Sequence, residues 1–164
     1  MPISAIGNNR LPRDAGVTLV EALTALMIVA MMAGAVILLA PGPDRKTRDE
    51  AERLAARIVM ASEESIVVNR TLALVVTHEG YGFERLEENG WAPAEPRSPL
   101  GFRAWPGELD VRVDQRLGDE DDPRIARFDA MGVATPASLV LSGAGARWRV
   151  VIDGEGEVDV ARAD

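Results

Sequence analysis

Glu21 is the residue whose type and position most call for a chemical explanation. It is the only ionisable group in an apolar run from Val17 to Ala40, five residues after Gly16. A carboxylate at mid-membrane costs roughly 2.5–3.5 kcal/mol on insertion scales, so a charge kept in such a run points to a specific use. The competing explanation is that Glu21 sits near a helix end and reaches interfacial water. The other candidates are weaker. Asp119, Glu120, Asp121 and Asp122 offer oxygen ligands to calcium, but the run lacks the alternating ligands and internal glycine of an EF-hand loop, and a solvated acidic loop is expected. His78 is the single histidine, which excludes a multi-histidine metal site and leaves a surface turn. Ser62, Ser65, Ser138 and Ser142 have no evident base and no nucleophile elbow, and Gly143-Ala144-Gly145 lacks the strand, loop and helix of a phosphate cradle. No cysteine is present to form a disulfide, a thiolate site or a lipid anchor. The expectation is a chain without catalytic residues, metal or cofactor.

The elements that must position Glu21 begin with the run itself. The chain has 164 residues, 47% hydrophobic and 27% charged, with a net charge of −8. As a helix at about 1.5 Å per residue, residues 17–40 reach about 36 Å, enough for a hydrocarbon core of about 30 Å. Arg10 and Arg13 in the leader, residues 1–16, favour a cytoplasmic N-terminus and place 41–164 on the far side of the membrane. Conventional secretory cleavage fits poorly, because the small residues Ala33-Gly34-Ala35 are followed by more of the apolar run. The acidity argues against a general nucleic-acid surface.

Pro41-Gly42-Pro43 punctuates the end of the run, and Asp44 is a suitable N-cap for a second helix. From Thr47 to about Val68, Ala51, Leu54, Ala55, Ile58, Ala61 and Ile66 recur at three- and four-residue spacing, which predicts an amphipathic helix with one face for a sheet. Strands are expected at Leu72–Thr77 and Tyr81–Leu86 around the His78-Glu79-Gly80 turn. Asn89-Gly90 marks a tight turn before Trp91, and Pro93–Pro99 a loop. Leu109 to Leu117 alternates as a strand with one wet face, followed by a short strand at Ile125–Phe128. Three further strands are expected at Ser138–Leu141, Arg147–Ile152 and Glu157–Val160. A long helix followed by consecutive strands implies an α+β fold with the helix on antiparallel sheet, and no internal repeat is evident. Trp148 is placed in the core or against Arg147 or Arg149. Trp91 and Trp105 are assigned to packing over a partner-facing patch.

Gly16, the apolar run GVTLVEALTALMIVAMMAGAVILL and Glu21 at its fifth position resemble the processing region of type IV pilins and type II secretion pseudopilins. The segment FDAMGVATPASLVLSGAGARWRVVIDGEGEVDV resembles the closing pattern of the GspH/FimT branch through Phe128, Gly132, Thr135, Pro136 and Gly154, and LAARIVMASEESIVVNRTLALVV resembles its entry into the sheet. The resemblance implies a pilin-like subunit cut by prepilin peptidase between Gly16 and Val17, with N-methylation of Val17. Val17 itself departs from the phenylalanine or methionine more usual there. Glu21 would then lie four residues from the new α-amine and neutralise the amine of a neighbouring subunit in the filament core. The implied protein is a minor pseudopilin, a structural subunit near the tip of the type II secretion pseudopilus, anchored once in the inner membrane with 41–164 periplasmic. Its partners would be other minor pseudopilins, the peptidase, the membrane and the secreted substrate. The alternative is a FimT-like minor pilin of type IV pili that engages DNA. The tail GEGEVDVARAD, with one arginine among its acids after Gly154, argues for secretion.

Overall fold

The computed structural model describes residues 19–39, 43–107, 109–119 and 121–163. Gly16, Val17 and the rest of the leader lie outside the described residues, as do Pro41, Gly42 and Glu120. The chain divides into two units, 1–40 and 41–164.

In the first unit, helix α1 runs Leu19–Leu39. Leucine, alanine and methionine dominate it, all strong helix formers, and Glu21 in its first turn suits the helix dipole. Every side chain described in α1, from Leu19 to Ala33, is exposed. Among the described residues no helix is long and apolar enough to cross a membrane.

The second unit opens with helix α2, Pro43–Val67. It begins four residues before the expected Thr47, because proline is favourable at a first helical position, where its missing N–H has no intrahelical partner to lose. Asp44 therefore lies within the helix and is not its cap. The helix ends in a Schellman motif: Asn69 adopts φ 52°, its N–H donates to Ile66 O at 3.3 Å, and the Arg70 N–H donates to Ser65 O at 3.1 Å. Ala51, Leu54, Ala55, Ile58 and Ala61 are buried as their spacing predicts. Ile66 is not; it is about half exposed, beyond the end of the sheets' cover.

Among the described residues nine strands follow: β1 Leu72–Val76, β2 Gly80–Glu87, β3 Gly90–Pro93, β4 Arg103–Ala104, β5 Asp110–Gln115, β6 Arg124–Phe128, β7 Ala137–Gly143, β8 Ala146–Ile152 and β9 Val158–Arg162. One antiparallel sheet has the order β3-β2-β1-β6 with β4 beside β2, and the other has the order β5-β7-β8-β9. Helix α2 packs on both, against β1 and β6 of one and β7, β8 and β9 of the other. Its apolar face, Leu74, Tyr81, Phe83, Phe128, Leu139, Leu141, Val150 and Ile152 close a single core. The α+β fold with antiparallel sheets is as expected.

Three details differ from the sequence reading. Pro93 pairs with Glu84 as the last residue of β3, tolerated because β3 is an edge strand and its outer side needs no donor. The two-residue β4 carries no periodicity and was not anticipated; it lies so close to Gly80 that a Cβ there would stand 2.2 Å from Arg103 O. The last strand starts at Val158, not Glu157, because residues 153–157 form a braced turn.

Candidate functional site: a sutured junction and a buried carboxylate

The residues singled out after position 127 converge on one junction. Phe128 is fully buried at the end of β6 and bridges to Ala134. Between them the chain turns through Asp129, whose Oδ1 accepts the N–H groups of Met131 at 2.8 Å and Val133 at 2.9 Å. Asp153 does the same after β8, accepting from Glu155 and Glu157 at 2.9 Å each. Both turns place a glycine three residues after the aspartate in the left-handed region, Gly132 at φ 86° and Gly156 at φ 80°. That conformation costs a residue with a side chain about 1–2 kcal/mol. The two turns are therefore one Asp-x-x-Gly device used twice, a local repeat that the sequence reading missed.

The turns dock on each other and on α2. The Ala134 N–H donates to Gly154 O at 3.1 Å, and the Thr135 N–H donates to Arg127 O at 2.9 Å. Pro136 follows directly and leads into β7. Ser65, buried near the end of α2, sets its hydroxyl 2.6 Å from Ser62 O and 2.9 Å from Asp129 O. The bonds through Ala134, Thr135 and Gly154 thus tie the ends of β6 and β8 to the entry of β7, and Ser65 ties α2 to the first turn; Gly132, Thr135, Pro136 and Gly154 all fall within this junction.

A second feature went unremarked in the sequence. Glu50 is completely buried on the core face of α2. Its Oε2 accepts from Arg53 Nη1 at 2.6 Å, and its Oε1 from Arg103 Nε at 3.2 Å and the Tyr81 hydroxyl at 3.1 Å. One carboxylate so joins α2, β2 and β4. Beside it Arg57 lies over the Tyr81 and Phe83 rings, donates through Nε to Pro99 O at 2.8 Å, and holds Gly101 O through Nη2. Burial pushes the Tyr81 phenol above its ordinary value; Arg57 opposes the shift and the Glu50 charge adds to it. An open cavity of about 670 Å³ lies alongside, lined by Lys46, Thr47, Asp49, Glu50, Arg53 and Leu109 among others.

Glu21 sits on exposed α1, where the Thr24 hydroxyl donates to its backbone carbonyl at 2.9 Å. That bond internalises the hydroxyl in an apolar helix. The tryptophans are all engaged within the fold. Trp105 is buried, 4.6 Å from the Tyr81 ring, with its indole N–H on Thr77 O at 3.0 Å. Trp91 carries the guanidinium groups of Arg124 and Arg127. Trp148 is half-buried, and the arginine above it is Arg48 of α2, not the neighbouring Arg147 or Arg149. Asp122 in the acidic loop accepts from the backbone and side chain of Arg124, and the backbone bond is the main cause holding its carboxyl below the usual range. His78 is an exposed turn residue.

A helix laid across two antiparallel sheets, closed by this sutured C-terminal region, defines a pilin-like subunit. The fold is similar to that of the minor pseudopilin EpsH from the type II secretion system of Vibrio cholerae, with a TM-score of 0.62 and 17% identity, over 74% of this chain and 97% of that one. It is equally similar to the solution structure of E. coli GspH, with a TM-score of 0.61 and 18% identity, over 73% and 90%. No curated protein matches the sequence. The family described as type II transport protein GspH matches residues 50–156, and the chain belongs to that family.

Proposed function

We propose that this chain, a minor pseudopilin of the type II secretion system, serves as a structural subunit near the tip of the pseudopilus and assists protein export across the outer membrane. The observation that carries this reading is the family match over residues 50–156, which spans most of α2, the whole of the first sheet, strands β5, β7 and β8 of the second, and the sutured junction. The role is architectural: the side chains of the junction and of the Glu50 network are engaged in holding elements together. Residues 17–40 anchor the chain in the inner membrane, and 41–164 face the periplasm, where other minor pseudopilins and the secreted substrate are met. Prepilin peptidase cuts between Gly16 and Val17, and Val17 is then N-methylated. The apolar character of α1, interrupted among its described side chains only by Glu21 and Thr24, supports a helix meant for lipid or for a filament core.

Glu21 pairs with the α-amine of a neighbouring subunit, which offsets the cost of burying either charge alone. Glu21→Val is expected to insert and be processed but to lose crosslinking to neighbouring subunits, together with secretion. Normal crosslinking and secretion by that variant would remove the role. Mass spectrometry of the chain from a host with the peptidase should give Val17 as the first residue, and an intact leader alone would count against processing.

A further inference from the structure

Ile66 and Val67 at the end of α2 and Met131 and Val133 in the adjacent turn form an apolar platform on the second unit. Val67 is 82% exposed, Met131 84%, Val133 54% and Ile66 51%. Ile66 meets the turn directly, since a Cβ on Gly132 would lie 3.3 Å from its Cδ1. The platform is rigid on both sides. The Schellman motif fixes the helix end, and the paired hydrogen bonds to Asp129 fix the turn. Four large apolar side chains presented together on a rigid base are what marks an interaction surface, whereas scattered apolar residues are not. Pre-organised backbone lowers the ordering cost of binding.

The surroundings decide what the platform would receive. Glu63 and Glu64 flank it on α2, and Glu155 and Glu157 stand in the twin turn that docks beside it. The only cation in the adjoining helix-end segment is Arg70. A second copy of this acidic chain would bring a like-charged collar against this one. A lipid surface also fits poorly, because the glutamates around the platform would face anionic headgroups.

We propose that this platform docks a segment of another protein that carries bulky apolar side chains flanked by lysine or arginine. The apolar side chains cover Ile66, Val67, Met131 and Val133, and the flanking cations meet the glutamate collar. The inference does not depend on processing at Gly16 or on assembly through Glu21.

The test uses the full chain in phosphatidylcholine nanodiscs and a fluorescein-labelled peptide, Lys-Lys-Leu-Phe-Leu-Lys-Lys, read by anisotropy against empty nanodiscs. Saturable binding is expected. It should weaken at least tenfold in the Val67→Ser, Met131→Ser double variant, whose changes are at exposed positions and should leave the circular dichroism and unfolding midpoint unaltered. Glu63→Lys with Glu155→Lys should weaken binding several-fold and flatten its salt dependence. A peptide with glutamate in place of lysine, or with serine in place of its apolar centre, should not bind. Absence of saturable binding, undiminished binding to the serine variant, or equal binding of the glutamate peptide would overturn the proposal. So would self-association of the chain that the serine changes abolish, since the occupant would then be a second copy.

Discussion

Each helix of this chain carries one glutamate out of keeping with its surroundings, and the two are misplaced in opposite senses. Glu21 is a charge on an apolar, exposed helix; Glu50 is a charge buried in the core face of a polar one. Glu50 meets its needs inside the fold, with two guanidinium groups and a phenol converging from three elements. Glu21 belongs to a helix whose described side chains, Leu19 to Ala33, are all exposed; its proposed role is in assembly. The contrast separates a carboxylate satisfied inside one subunit, Glu50, from one for which a partner in a neighbouring subunit is proposed, Glu21.

The largest effect is expected where the internal carboxylate loses its cations. Arg53→Ala with Arg103→Ala leaves Glu50 buried beside Tyr81 alone, at a cost of about 3–5 kcal/mol. The neighbouring cavity lets water approach and puts the expectation near the lower bound. Denaturant unfolding of the second unit measures it. Adding Glu50→Gln to the double variant should recover part of the loss, because a neutral amide needs no counter-charge; no recovery would mean that the arginines act through packing.

A matched pair of truncations sharpens the comparison between the helices. Leu54 is fully buried in α2, so Leu54→Ala should destabilise the unit by about 2–5 kcal/mol. Leu26 is exposed on α1, and Leu26→Ala should change the same transition by no more than about 0.5 kcal/mol. Equal effects of the two would contradict the division of the chain at residue 40.

Much of this was legible in the sequence because it rests on local periodicity. Leu54, Ile58 and Ala61 reveal a buried helical face, and alternation reveals most strands. Glu50 was legible in part: with Thr47, Leu54 and Ser65 it falls at helical spacing on the apolar face, a polar residue where a core position was due. Its partner Arg103 was not legible, because the contact closes over 53 residues through a two-residue strand with no pattern of its own. The twin turns left a visible trace, Asp129 with Gly132 and Asp153 with Gly156, but only the geometry shows that each aspartate braces the amides two and four residues after it. Trp148 illustrates the opposite limit. Neighbours in sequence suggested Arg147 or Arg149, yet residues adjacent in a strand point to opposite faces, and the stacking arginine comes from the helix.

A smaller effect than the loss at Leu54 tests whether the Glu50 network behaves as one unit. Tyr81 is the only tyrosine, so ultraviolet absorbance titration reports it alone. Burial, reinforced by the Glu50 charge, pushes its phenol above the ordinary value of 10.0 despite Arg57. In the unfolded chain the phenol ionises near that value, while in the folded chain it keeps its proton to higher pH. The folded state then binds more protons than the unfolded one, so the stability this group contributes is complete below pH 10 and declines as pH rises through the folded value. Tyr81→Phe should cost about 1.5–3 kcal/mol at neutral pH, for the lost hydrogen bond to a charged acceptor, and should flatten the alkaline decline. If the decline persists unchanged in the phenylalanine variant, the alkaline sensitivity lies elsewhere and Tyr81 is not coupled to the carboxylate it touches.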